Sequence, residues 1–358
     1  MKKLLFVFGT RPEAIKLCPL INECKKRGNF IVKVCSTGQH HSLLLPVLEL
    51  FSVVPDYDLA VMKDAQTPAD ITVSVLTGVM KIIDKEKPDT VVVHGDTTSA
   101  YAAAVAAFYT KTAVAHVEAG LRTGDKYSPY PEEFNRRSIA VIADWNFAPT
   151  QSAKQNLLDE GISEDKIFVT GNTVIDALKY TVGEMPEEFS AVKGRILLVT
   201  AHRRESFGEP IRDIFRAVAD IVKAREDVTA VIPVHKNPEA KKAAEMLSGQ
   251  ERIILTEPMD TGRFHSVMSR SYLIITDSGG IQEEAAALGV PVLVAREVTE
   301  RREGIDAGNA FLVGRDRRLI CDTALKLLDD GEAYKNAAKA SDVYGDGTAC
   351  AKIADMLS

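Results

Sequence analysis

The sequence predicts an α/β protein of two domains, each a parallel sheet covered by helices on both faces. Three observations lead there. Short β-branched runs alternate with longer amphipathic stretches along the whole chain, the pattern of repeated strand–helix–strand units. About a dozen such runs are present, more than one ordinary sheet holds. And 358 residues exceed one typical core: at roughly 150 residues per domain, two are expected.

In chain order the strand-like runs of the first half are LLFVF at 4–8, IVKVCS at 31–36, TVVVH at 90–94, AVAHV at 113–117, WNFAP at 145–149 and KIFVT at 166–170. The second half has RILLVT at 195–200, VTAVIPV at 228–234, RIILT at 252–256, YLIITD at 272–277, VPVLVA at 290–295 and AFLV at 310–313. Helical patterns fill intervals such as 100–109, 151–160, 211–224 and 280–288. Residues 181–194, with Gly183, Pro186, several acids and Gly194, read as a linker, and a fresh strand follows at once. The boundary is therefore expected between 170 and 195, with domains taken as 1–170 and 171–358. The stretch 347–358 reads as a terminal helix, packing either on its own domain or back on the first.

Composition narrows the function. A hydrophobic fraction of 46% with 26% charged residues belongs to a folded globule, which excludes disorder as the main state. The net charge of −6 excludes holding a polyanion by bulk charge, so no nucleic-acid partner is expected. Any phosphate must be held by a few placed cations and backbone amides. No apolar run approaches the ~20 residues that span a bilayer. Lys2 and Lys3 before residues 4–8 faintly resemble an export signal, but Gly9-Thr10-Arg11-Pro12-Glu13 breaks the apolar run too early. The five cysteines include no CxxC pair, which fits a reducing cytoplasm.

In open parallel sheets, ligands bind beyond the carboxyl ends of the strands. Those ends are unusually polar here: Gly9-Thr10-Arg11, His94-Gly95-Asp96, His116-Val117-Glu118, His202-Arg203-Arg204, His235-Lys236-Asn237 and Asp277-Ser278-Gly279-Gly280. Both halves contribute, so a cleft between facing domains is the economical arrangement. Asp277-Ser278-Gly279-Gly280 opens a helix. Its glycines and free amides suit a phosphate, and Ser278 adds a hydroxyl; the alternative is a plain helix cap by Ser278. Glu284, one turn on, suits a pair of hydroxyls such as a ribose diol. Arg11 and Lys16, beside the first strand end, suit a diphosphate.

The acidic set says more. Asp96 and Glu118 each follow a His by two residues, and Glu132 and Glu133 open a helix that also carries Asn135, Arg136 and Arg137. Converging carboxylates suit acid/base work or a cationic centre. Three alternatives compete: Asp96 as the cap of the helix near Thr98, Glu118 in a structural ion pair with Arg122, and a divalent-ion site from His94, Asp96, His116 and Glu118.

These residues fall in recognisable blocks. GTRPEAIKLCPL, TGQH, VVHGDTTSA, HVEAGLRT, YSPYPEEFNRR, GNTVIDAL, TAHRRESFG, PVHKNP, TDSGGIQEEA and PVLVAREVTER resemble, in order, the non-hydrolysing UDP-N-acetylglucosamine 2-epimerases. The resemblance implies two Rossmann-like domains with parallel sheets facing across a cleft, a GT-B-like fold. It implies interconversion of UDP-GlcNAc and UDP-ManNAc without nicotinamide or metal, by a homodimer that supplies ManNAc for surface polysaccharides; the alternatives are an epimerase of a modified UDP-sugar or a hydrolysing epimerase and, more remotely, a GT-B glycosyltransferase. Residue by residue, the family's catalytic groups match Asp96, Glu118, Glu132, Arg136 and His202. Its UDP contacts match Arg11, Lys16, Phe264, Ser278, Gly279, Gly280, Glu284 and Arg301. Phe264 would lie by the uracil, Ser278 to Gly280 at phosphate, and Glu284 at the ribose.

Departures are as informative. Arg302 stands where the family typically has Pro, and Met259 where some members have Gln. Many bacterial members take a second UDP-GlcNAc as activator, and Gln39, His40 and His235 match that pocket. Ser42 replaces a longer polar residue, however, and Ala65 stands at the position of an Arg. The loss of that cation implies weakened activation.

Overall fold

A computed structural model describes residues 1–38, 41–62 and 66–358, less the side chains at 41–43 and 204. Its strands form two all-parallel sheets. The first holds β1 (Lys2–Phe8), β2 (Phe30–Ser36), β3 (Tyr57–Asp58), β4 (Thr90–His94), β5 (Ala113–Val117), β6 (Trp145–Ala148) and β7 (Ile167–Val169), in the order β3-β2-β1-β4-β5-β6-β7. The second holds β8 (Arg195–Thr200), β9 (Val228–Pro233), β10 (Ile253–Thr256), β11 (Leu273–Thr276), β12 (Val292–Val294) and β13 (Ala310–Leu312), in the order β10-β9-β8-β11-β12-β13.

The order in which strands are added reverses once in each sheet, at β1/β4 and at β8/β11. Such switch points are where side chains beyond neighbouring strand ends are free to meet a ligand. In the first sheet they present Gly9-Thr10 and Asp96; in the second, His202 and Asp277.

Both faces of each sheet are buried, which is why the strands read as apolar runs rather than as alternation. One side of the first sheet packs Leu4, Phe6, Phe8, Leu17, Leu20 and Phe147; the other packs Leu5, Val7, Val91, Val93 and the alanines of the helix Thr98–Tyr109. The second sheet is built alike, with Leu197, Val199 and Ile275 on one side and Leu198, Val231 and Ile274 on the other.

The chain divides into a first compact unit, residues 1–180 with 345–358, and a second, residues 181–344. The division falls ten residues beyond the expected 170, because the helix Thr173–Thr181 belongs to the first core. Ala177 is buried there with Cys350, Ile353, Ala354 and Leu357 of the last helix, Ala349–Leu357. Asp176 accepts 3.1 Å bonds from the Ala349 and Cys350 N–H groups, filling the orphan amides of that helix start. Strand β3 is an addition to the sequence reading. At two residues, one of them Asp58, it carries no periodicity to detect.

Candidate active site

The helix Arg11–Arg27 begins directly after β1, with Pro12 inside its first turn. Glu13 is buried there. Its Oε2 accepts from the N–H groups of Gly9 and Thr10, at 3.1 and 2.8 Å, and its Oε1 accepts from the Thr97 hydroxyl at 2.8 Å. One carboxyl thus ties the loop after β1 to the loop after β4. Burial lifts its pKa to about 7, against the hydrogen bonds it accepts.

Glu118 follows β5 in the left-handed region, with φ of 63°. A side-chain-bearing residue is held there at a cost of about 1–3 kcal/mol, sustained only where its surroundings fix it. Those surroundings are specific. The Lys16 ammonium contacts Oε1, the Asn172 amide donates to the same oxygen at 2.7 Å, and His94 Nε2 lies 3.4 Å from Oε2. Burial drives the His94 pKa down to about 3, so this imidazole is neutral at physiological pH. The neighbouring His116 is likewise pushed down by burial, to about 4, and its Nε2 donates to the Gly95 carbonyl at 2.7 Å.

Asp96 pairs with the buried guanidinium of Arg136. Burial raises its pKa, Arg136 opposes that rise, and the negative charges of Glu118 and Glu132 add to it. Glu118 and Glu132 are thus both close enough for their charge to act on Asp96. Glu132 is the first residue of the helix Glu132–Ile142, and its buried Oε2 has no hydrogen-bond partner among the described residues. Glu133, fully buried, does different work. It accepts from Thr123 N–H at 3.2 Å and Gly124 N–H at 3.4 Å and lies 3.4 Å from Arg136, pinning the loop before the helix. Asn135 donates to the Asp96 carbonyl at 2.9 Å.

These contacts correct two of the alternatives. The helix Thr98–Tyr109 is capped by Thr97, whose hydroxyl accepts from Ala100 N–H at 3.0 Å, not by Asp96. Arg122 pairs with Glu160 at 2.7 Å rather than with Glu118. Among the described residues, no group of His, Cys, Asp and Glu side chains is arranged to hold a metal ion.

In the second unit, Ser278 stands at the start of the helix Gly279–Leu288, and its hydroxyl makes no capping bond. A β-carbon on Gly279 would lie 2.6 Å from the Arg301 guanidinium, so a larger residue there would make that cation shift away from the helix start. Arg301 is buried, donates from Nε to Glu283 at 2.6 Å and contacts Glu300. Burial acts upward on Glu300, yet Arg301 and Arg296 hold its pKa down to about 2. Glu284 lies 3.5 Å from His265 Nε2, and the other His265 nitrogen is 2.7 Å from the Thr181 hydroxyl. Phe264 is partly buried beside the Met259 cluster. His202 is partly exposed and stacks on His235.

Of the expected site residues, Asp96, Glu118, Glu132, Arg136 and Lys16 come together in the first unit. Lys16, expected at phosphate, is engaged by Glu118. Arg11 is exposed on the first turn of its helix. His202, Phe264, Ser278, Gly279, Gly280, Glu284 and Arg301 belong to the second unit. Gln39, His40 and Ala65 lie outside the described residues, as does the side chain of Ser42. Sequence reasoning missed Asn172, whose block GNTVIDAL was noticed without a role, and the structural part of Glu133.

Comparison with known proteins now bears on the identity. The sequence model of the family described as UDP-N-acetylglucosamine 2-epimerase matches residues 22–358. The UDP-N-acetylglucosamine 2-epimerase of Bacillus subtilis is 49% identical over 363 residues, covering 100% of this chain and 96% of that protein. The enzyme of the same name from Salmonella typhimurium is 48% identical over 368 residues, covering 99% and 98%. The crystal structure of the Neisseria meningitidis UDP-GlcNAc 2-epimerase bound to UDP-GlcNAc matches with a TM-score of 0.91 at 43% identity, over 99% of both chains. The fold class, two parallel-sheet α/β domains, is GT-B-like, as in these structures. The chain belongs to the UDP-N-acetylglucosamine 2-epimerase family.

Proposed function

We propose that the protein interconverts UDP-GlcNAc and UDP-ManNAc. The observation that carries this is the cluster of Asp96, Glu118 and Glu132 around Arg136 and Lys16. Carbon 2 of an N-acetyl sugar holds its hydrogen too tightly for simple deprotonation. If the C1–O bond breaks first, UDP leaves with the electron pair and carbon 1 becomes oxocarbenium-like. Carboxylates stabilise that centre. The C2–H bond then gives its proton to a carboxylate and its electrons to a C1–C2 double bond, forming 2-acetamidoglucal. A proton delivered to the other face of carbon 2, with UDP returning to carbon 1, completes the inversion. Both faces need an acid/base group, and three carboxylates suffice.

In this reading residues of the first unit do the proton chemistry and residues of the second hold UDP: Ser278, Gly279, Gly280 and Arg301 at phosphate, Glu284 at the ribose and Phe264 at uracil. Arg11 adds a cation, and His202 faces the substrate. The product supplies ManNAc for surface polysaccharide. Free thiols and helices none of which, among the described residues, is long and apolar enough to cross a membrane fit a cytoplasmic enzyme.

The reading includes a homodimer. Its support is the helix Thr98–Tyr109, which has no charged residue and leaves Phe108 and Tyr109 more than half exposed. Val73, Phe134 and Val141 on the helices packed beside it are exposed as well. Exposed apolar side chains on neighbouring helices suit a second copy.

The test is UDP-GlcNAc in deuterated water with no added cofactor, followed by NMR of the products. UDP-ManNAc carrying deuterium at carbon 2 is expected. Product that keeps its hydrogen, or free ManNAc in place of UDP-ManNAc, would overturn the reading.

A further inference from the structure

In the second unit, β8 and β11 run side by side with Thr200 opposite Thr276, their hydroxyls 2.7 Å apart. Beyond them stand Ala201-His202 on one strand and Asp277 on the other. Asp277 is fully buried. A buried carboxylate needs partners, and its Oδ2 has two: the backbone N–H groups of His202 and Arg203, each at 2.9 Å. The other oxygen, Oδ1, is buried without a hydrogen-bond partner among the described residues and lies 3.7 Å from His202 Nδ1. The His202 ring is also stacked on His235, with centroids 5.1 Å apart and planes 14° from parallel.

We propose that Asp277 is the positioning residue of His202, an inference that rests on the epimerase reading of His202 above. One oxygen fixes the backbone that carries the ring. The other selects the tautomer. A carboxylate only accepts, so it favours N–H at Nδ1 and makes Nε2 the accepting nitrogen towards the substrate. The stack on His235 fixes the ring plane, so that Nδ1 stays on the Asp277 side. Contacts to catalytic groups are often long in the free protein and shorten when substrate binds, which the 3.7 Å separation allows. The sequence showed Asp277 only as the first residue of a phosphate-binding turn. The structure gives it a task on the neighbouring strand.

A single atom exchange separates this role from a purely structural one. Asp277→Asn keeps an oxygen for the two backbone N–H groups but turns an NH₂ towards Nδ1, which forces the other tautomer. The variant should keep its melting temperature, its UDP affinity and its KM, while kcat falls about 10–100-fold, the scale for losing the carboxylate partner of a functional His. Nitrogen-15 NMR should show the His202 proton at Nδ1 in the wild type and at Nε2 in the variant. In a His202→Asn background the same exchange should change kcat by less than about two-fold, because coupled residues are not additive. Wild-type turnover by Asp277→Asn, an equal loss in both backgrounds, or a wild-type proton at Nε2 would each overturn the proposal. The wild-type spectrum decides even if the variant fails to fold. A wild-type protein that makes no UDP-ManNAc would instead defeat the epimerase reading, leaving the tautomer measurement standing by itself.

Discussion

The side-chain amide of Asn172 donates a 2.7 Å hydrogen bond to the Glu118 oxygen that also takes the Lys16 ammonium. Asn172 is itself fixed, because its Oδ1 accepts from Val174 N–H at 3.1 Å at the start of the next helix. A hydrogen bond to a charged group is worth about 1.5–3 kcal/mol. Asn172→Ala should therefore lower kcat roughly ten-fold or more while UDP binding is unchanged. Steady-state kinetics beside UDP calorimetry checks this; a fall in UDP affinity alone would remove Asn172 from the support of Glu118.

Asp96→Asn, Glu118→Gln and Glu132→Gln should each reduce turnover about 10²–10⁴-fold, the value of a positioned acid/base group. UDP affinity should change little, and deuterium exchange at carbon 2 should fall with turnover. Ser278→Ala should show the opposite split, with weaker UDP binding and a smaller effect on kcat.

Glu132 and Glu133 are neighbours with different tasks. Glu133→Gln weakens the hold on the loop at 123–124 and on Arg136, so it should lower stability by about 1–3 kcal/mol, seen as a melting temperature several degrees lower. Glu132→Gln should leave the melting temperature unchanged and abolish most turnover. Near wild-type turnover by Glu132→Gln would move the catalytic assignment elsewhere.

Glu13 gives a pH dependence of definite sign. Its pKa is raised from 4.5 to about 7 in the folded state, so the folded protein holds a proton that the unfolded chain releases. Its contribution is fully present below pH 4.5 and is lost as pH rises through 7, a swing of about 3 kcal/mol at 1.36 kcal/mol per unit. Glu13→Gln keeps an oxygen for the Gly9 and Thr10 amides and offers its NH₂ to the Thr97 hydroxyl. Denaturant unfolding from pH 4.5 to 8 should show the variant gaining on the wild type as pH rises. Parallel curves would mean that Glu13 does not change its protonation in this range.

Activation is a matter of sequence alone, because residues 39, 40 and 63–65 lie outside the described ones. If Ala65 stands where the family's Arg meets the activator's diphosphate, as the resemblance implies, the missing charge-assisted bond would be worth about ten- to a hundred-fold in affinity. UDP-ManNAc freed of UDP-GlcNAc should be epimerised without a lag. A lag abolished by traces of UDP-GlcNAc would show a working activator site.

The parts of this fold that sequence reveals are those written in local pattern. Apolar runs marked the long strands, and polar residues at or just past their carboxyl ends marked where a ligand could be met, because a parallel strand buried on both faces has little room for charged groups along its middle. Partnerships across the fold were less legible. Arg122 lies four residues from Glu118 in sequence but pairs with Glu160, which only the packing of the helix Gln151–Asp159 places there. Asn172 looked like an ordinary polar residue before a helix, and nothing local shows that its amide reaches a carboxylate 54 positions away. Glu132 and Glu133 could not be told apart by pattern, since a helix start accommodates acids at either position.

The return of residues 345–358 to the first unit sets the order in which the molecule can be finished. During synthesis, the whole second unit, residues 181–344, is made before the first unit receives its last helix. Until then the helix Arg11–Arg27 lacks its contact with the helix Ala349–Leu357, and the Asp176 carboxylate lacks the Ala349 and Cys350 amides. Residues 1–180 thus reach their full packing only after residues 181–344 have been made, and a nascent chain stopped at residue 344 would carry a finished second sheet and an open first core.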